Sequence, residues 1–448
     1  MSRVFNRRRV ALRVVFLLLA GAGLAFFYYH AATEHARVIN TARARADQSG
    51  YLWDAVGIYQ MRHGSPDALI GERNRMPVYP WILSWLYDPA LSPDDYFARA
   101  KAFNIKLSLL LLGVMAVAAR RFLTPHAWIN FVLVVAFGYF AFKAGYAQVE
   151  LLYYTLFFLT FLAACLLLRS ERTPATLALA ATAGVLAALS HLSKAAALPL
   201  VGVLSLVLAG RAAAPLLGGA RGRRPAMVRA IALAVFVAAF LGVLSPYLLN
   251  NKRVFGHYFY NVNTTFYVWY DDWTAASWGV YRHGDGVGWP KLPPDQIPTM
   301  RTYLRDHTAQ QIAARFWNGF LEMFTVSYNR LGHLKYVTMY ILFGIFLIAS
   351  NRRAFVELMR SRLTLFLFLA LYAAVYIVAV SFYQPISGTT LRMLLAHVAP
   401  LLFVLSCFFA RPPFNAASRA FHVAVTAVIA IDLAFLFWPR LMRDFAGY

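Results

Sequence analysis

Asp47 and Tyr51, then Arg75, Glu150, Lys194, Asp271 and Arg392, are the side chains of this sequence best suited to chemistry. They are acids, cations and a phenol interspersed among long apolar runs. A carboxylate beside fixed cations at a lipid–water boundary suits reactions of a lipid-linked phosphate. The acid can take a proton, while the cations receive the charge that a departing phosphate carries away.

The elements that must position these residues belong to a chain of unusual composition. Of 448 residues, 60% are hydrophobic and 14% charged, which is far from the soluble average and typical of a polytopic membrane protein. About eleven runs are long enough to cross hydrocarbon. They lie near 10–29, 104–119, 126–142, 147–168, 175–191, 195–210, 228–249, 336–350, 363–383, 391–410 and 417–438. The expectation is an all-α transmembrane domain covering 1–448. Arg7, Arg8 and Arg9 precede the first run as in a signal peptide, but its length and the runs that follow favour an uncleaved anchor.

A net charge of +24 in a soluble protein would suggest nucleic acid. Here the arginines sit in alternate short connections: Arg120 and Arg121, Arg169 and Arg172, Arg211 with Arg221, Arg223, Arg224 and Arg229, Arg352 with Arg353, Arg360 and Arg362, and Arg411 with Arg419. Such loops are cytoplasmic, and no nucleic-acid partner is expected. Two long loops, 30–103 and 250–335, then fall outside. All the candidate residues lie on that side, and Ala/Arg/Leu-rich usage suggests a bacterial plasma membrane with its periplasm there.

In the first outer loop, Leu52, Val56 and Tyr59 have helical spacing, predicting an amphipathic helix over Gln48–Arg62 with Asp47 at its start. Asp47 has two readings, an N-cap accepting backbone N–H groups or a reactive acid. The prolines of Arg75-Met76-Pro77-Val78-Tyr79-Pro80 suggest a rigid extended turn. Glu150 opens a span and needs a cation, a metal or a proton, with Lys143 one available partner. Lys194, in the polar interruption His191-Leu192-Ser193-Lys194, and Arg392 both fall at a boundary, where snorkelling is the ordinary explanation.

The second outer loop is rich in aromatics around Trp269, Tyr270 and Asp271, suited to the headgroup region or to sugar faces. A surface helix is expected over about 299–324. Asp432, in the last run, reads as a polar residue packing between helices. No Walker-type glycine loop, no HExxH and no tight His/Cys cluster occurs, and Cys165 and Cys407 fall inside apolar runs.

Taken together, Asp47-x-x-x-Tyr51, Arg75-x-Pro77-x-Tyr79-Pro80, Glu150 at a helix start, Leu192-Ser193-Lys194 and Arg392 leading to Pro400 resemble the GT-C glycosyltransferases that use polyprenyl-phosphate sugars. That superfamily includes protein O-mannosyltransferases and lipid A aminoarabinose transferases. The likeness covers chiefly the first 200 residues and the Arg392 region. It implies a helical bundle capped by juxtamembrane helices, with an active site between cap and bundle. It also implies transfer of a sugar, hexosyl or pentosyl, from a polyprenyl phosphate to an extracytosolic lipid, glycan or protein acceptor.

On that resemblance Asp47 is the catalytic base, and Lys194, Arg392 and Arg75 bind the donor phosphate. Tyr51, Asp54, Tyr79, Glu150 and Asp271 support the site or bind substrate. No cofactor is firmly implied; Glu150 either orders Lys194 or ligates a divalent cation, and Asp54 or Asp271 can stand in for Asp47. Gln48 departs from the pattern, since the best-known members carry a second acid there. The alternative is a lipid or glycoconjugate transporter, whose basic residues would bind an anionic headgroup. A glycan-binding scaffold ranks third.

Overall fold

A computed structural model describes residues 2–64, 75–214, 223–283, 292–293, 295–327, 332–387 and 390–443. The turn residues Ser65 and Pro66, Arg221 of the basic connections, Trp289, Pro290 and Pro294 of the aromatic loop, and Gly388 and Thr389 ahead of Arg392 lie outside them. Every regular element among the described residues is helical, and the chain is an all-α, multi-pass membrane protein.

The chain opens with α1 (Ser2–Val38), then α2 (Gln48–Arg62) and α3 (Val78–Leu83), before α4 (Pro93–Arg120). A span from Pro125 to Ala144 follows, made of α5 (Pro125–Val135), a π turn and α6 (Ala141–Ala144). Next come α7 (Glu150–Arg169), α8 (Thr173–Ser193), α9 (Leu198–Ala213) and α10 (Arg223–Phe255). The second long segment between spans holds α11 (Val262–Thr265), α12 (Trp273–His283), α13 (Met300–Asp306) and α14 (Ala309–Ser327). Then follow α15 (His333–Ser350), α16 (Arg352–Ser361), α17 (Leu363–Ser387), α18 (Thr390–Phe409), α19 (Ser418–Phe435) and α20 (Phe437–Leu441).

Ten helical segments among the described residues are long and apolar enough to cross a bilayer. They correspond to ten of the expected runs. The remaining run, 10–29, lies within α1, whose side chains before Leu19, Val15 apart, are outside the described residues. Two local expectations need correction. Around Arg75 the prolines do not hold the chain extended: Pro77 caps α3 and Pro80 falls in its first turn, where a missing N–H costs nothing. The surface helix expected over 299–324 is two helices, α13 and α14, divided at His307 and Thr308.

The centre of the bundle is α7. Of its apolar stretch 83% is buried, against 22% for α10 and α17, so the helix that begins with Glu150 is the one most enclosed by others. It packs against α4, α8 and α18. Between α8 and α10 the approach is close enough that a Cβ on Gly184 would stand 2.5 Å from the Phe236 carbonyl oxygen. Small residues permit such contacts, which in lipid supply the packing that holds helices together.

Candidate functional site

Four of the predicted residues meet where three helices end. Glu150 opens α7, Lys194 follows α8 in extended conformation (φ −156°, ψ 128°), and Arg392 lies in the first turn of α18. Asp47 immediately precedes α2. Arg392 donates from Nε to Glu150 Oε1 at 2.8 Å, and its Nη2 also contacts that oxygen. Lys194 Nζ reaches the same oxygen at 3.3 Å. The remaining guanidinium arm, Nη1, donates to Asp47 Oδ2 at 2.9 Å. A cation in the first turn of a helix opposes the macrodipole; here the two carboxylates offset it. Tyr154 on α7 donates to the Arg392 carbonyl at 2.9 Å, fixing α18 against α7.

Exposure differs along this chain of pairs in a way that matters for chemistry. The Glu150 side chain is 1% exposed, Arg392 15%, Lys194 20% and Asp47 53%. Glu150 therefore acts as a buried anchor, and Asp47 is the acid open to a partner. The backbone aims it: Ala46 and Asp47 have φ of 57° and 63°, a left-handed pair that non-glycine residues rarely adopt and that Asp tolerates better than most. No capping hydrogen bond forms from the Asp47 side chain, so the N-cap reading is corrected: its carboxylate turns away from α2 toward Arg392.

Gln48, the departure from the acidic pattern, is wholly engaged in structure. It exchanges reciprocal amide bonds with Asn40, both at 2.8 Å, accepts from the Ala147 N–H at 2.9 Å and donates to the Arg45 carbonyl at 3.1 Å. Asn40 also donates to the Gly145 carbonyl at 2.8 Å. These bonds, with Gln148 donating to the Ala46 carbonyl, clamp the left-handed turn onto the segment before Glu150.

The other predicted residues form an adjoining layer. Arg75 lies over the Tyr51 ring at 5.6 Å, flat against Gly50, and 3.9 Å from Asp54. A Cβ on Gly50 would come within 1.9 Å of the guanidinium carbon. The Tyr51 ring meets Tyr79 edge-on at 5.5 Å, and Tyr79 donates to Asn104 at 3.1 Å. Burial pushes the Tyr51 phenol well up, with the Glu150 carboxylate adding to the rise. It also raises the Asp54 carboxyl to about 6 against the pull of Arg75. Asp54 is 3% exposed, a poor stand-in for Asp47.

Asp271 does not join the group. It pairs with His307 at 3.0 Å and lies 3.9 Å from Arg315, beside a cavity of about 300 Å³ lined by Trp269, Tyr270, Tyr303 and His307 among others. Lys143 makes no close ion pair with Glu150; its buried Nζ has no hydrogen bond among the described residues and lies 5.2 Å from the Tyr146 ring centre. Arg392 and Lys194 both hold Glu150 Oε1, while its buried Oε2 has no hydrogen bond among the described residues, and no cluster of His, Cys, Asp and Glu fit to hold a metal occurs among them. Asp432, expected as a packing residue, is an ion-pair centre, contacting Lys335 and Arg440 and accepting from Tyr336 at 2.7 Å.

Residues missed by sequence reasoning are the positioning ones: Asn40, Asn104, Gln148, Tyr154, His307 and Arg315. Only His307 carried a signal, since Thr308-x-x-Gln311 just after it has capping-box spacing. Neither a scan against protein-family models nor a search of curated proteins finds a match for this chain.

Proposed function

We propose that the chain is an inverting glycosyltransferase that moves a sugar from a polyprenyl phosphate to an extracytosolic lipid, glycan or protein acceptor, at the outer face of a bacterial plasma membrane. The observation that carries this reading is the unbroken line Asp47–Arg392–Glu150–Lys194, an accessible acid paired with one of two cations that a buried acid holds in place.

In this reading the acceptor oxygen bonds to the anomeric carbon as the carbon–oxygen bond to phosphate breaks. Asp47 takes the hydroxyl proton. The electron pair leaves with the phosphate, whose growing charge is received by Lys194 and Arg392 through charge-assisted hydrogen bonds. One displacement inverts the anomeric centre. The pairing adds an ordering. Arg392 spends Nε and Nη2 on Glu150 and one N–H of Nη1 on Asp47, so a phosphate that takes that N–H releases Asp47. Donor binding thereby frees the base.

A transporter would be expected to carry its functional charges near the bilayer midplane. The charges here gather at helix ends, which favours the transferase. The test is reconstitution in liposomes with a labelled polyprenyl-phosphate sugar. Label appearing on an acceptor supports the proposal; labelled lipid crossing the bilayer with no transfer to any acceptor supplied replaces it with transport.

A further inference from the structure

The far end of the bundle holds a second charged cavity. It measures about 400 Å³ and is lined by Arg211, Arg229, Glu171, Ser170, Thr173 and Thr176, together with Leu167, Leu208, Val228 and Ala232. The central helix α7 begins at Glu150 and ends at Arg169, so this cavity lies across the membrane from Asp47, ~30 Å away for a 20-residue helix. From the sequence these arginines serve only to orient the chain.

Their geometry shows more. Arg229 donates from Nη1 to the Arg211 backbone carbonyl at 3.1 Å, and Arg211 donates from Nη1 to the Leu167 carbonyl at 3.5 Å. Both arginines thereby line one cavity, although like charges repel. Among the described residues each uses a single N–H in a hydrogen bond, and a guanidinium has five. Glu171 is the one acid in the lining and is exposed, leaving the cavity with an excess of one positive charge. Half-buried arginines presenting forked donors match the oxygens of a phosphate.

We propose that this cavity holds the phosphate headgroup of an anionic membrane phospholipid. The choice of a lipid over free phosphate rests on the other lining residues. Leu167, Leu208 and Ala232 are buried behind the cavity, but Val228 on α10 is only half-buried and its neighbours Met227 and Ile231 are exposed, giving an acyl chain an apolar wall that inorganic phosphate could not use. Basic pockets between spans on the side rich in arginine suit such lipids. The site is independent of the transferase reading, since it needs neither donor nor acceptor.

The experiment is native mass spectrometry of the full-length protein in detergent, titrated with dioleoylphosphatidylglycerol, with dioleoylphosphatidylcholine, and with phosphatidylglycerol in the presence of inorganic phosphate. Phosphatidylglycerol should bind in preference to phosphatidylcholine. Arg229→Gln should weaken it roughly tenfold, the loss of a charge-assisted contact. Because Arg211 also ties down the end of α7, Glu171→Gln is the safer second variant: removing the opposing charge should tighten binding, which a folding defect cannot imitate. Equal binding of the two lipids, or no change in either variant, overturns the proposal. Displacement of phosphatidylglycerol by inorganic phosphate at comparable concentration would assign the site to free phosphate and likewise overturn it.

Discussion

Asp47→Asn should tighten the binding of donor lipid while abolishing transfer. In the resting site Asp47 Oδ2 holds one N–H of Arg392 Nη1 at 2.9 Å, and a phosphate that takes that N–H displaces it. The Asp47 side chain is 53% exposed, so solvent screens the pair and its worth is that of a surface ion pair, ~0.2–1 kcal/mol. At ~1.4 kcal/mol per decade, removing this competition should improve affinity about 1.5- to 5-fold. Loss of the proton acceptor should slow transfer ~10²–10⁴-fold. Asn keeps the shape of Asp and tolerates the left-handed φ of 63°, so the thermal midpoint should fall only slightly. Polyprenyl-phosphate binding by equilibrium titration and single-turnover sugar transfer give the two readouts. Weaker lipid binding by the variant, or turnover within tenfold of wild type, would refute the reasoning.

Other perturbations have separate signatures. Glu150→Gln leaves Arg392 and Lys194, both largely buried, without their anchor; the fold should lose ~3–5 kcal/mol, read as a lower unfolding midpoint in detergent. Gln48→Glu sets carboxylate oxygens against the Asn40 side-chain oxygen and the Arg45 carbonyl, and Asn40 cannot flip without losing Gly145. The cost should be ~1–3 kcal/mol per unmatched group, again a thermal shift. Asp54, with its carboxyl raised to about 6, binds its proton more tightly folded than unfolded. Its contribution is full below ~3.9, declines as pH rises to about 6, and amounts at most to ~3 kcal/mol. Asp54→Asn should flatten the dependence of the unfolding midpoint on pH across that window.

Much of the bundle was legible because hydrocarbon imposes long apolar runs and leaves arginine in the connections between them. The helix Gln48–Arg62 was equally plain, since Leu52, Val56 and Tyr59 mark one face. The division of α13 from α14 was missed, because the aromatic and basic residues on either side of His307 continue a helical pattern that masks the capping-box spacing of Thr308-x-x-Gln311. Nothing in a linear reading joins Arg392 to Glu150, 242 residues apart, and charge type alone left Lys143 an equal candidate. The direction of the Asp47 carboxylate was also hidden. It depends on two left-handed residues held by Gln48 and Gln148, whereas a helix-start Asp ordinarily caps. Asp271 looked like part of the site from its loop, but His307 and Arg315 claim it.

The most direct test of the central claim is an electron cryomicroscopy structure of the protein with polyprenyl phosphate bound. Phosphate density should lie within hydrogen-bond reach of Lys194 Nζ and Arg392 Nη1, with Asp47 released from Arg392. A headgroup bound elsewhere, with the Asp47–Arg392 pair intact, would contradict it.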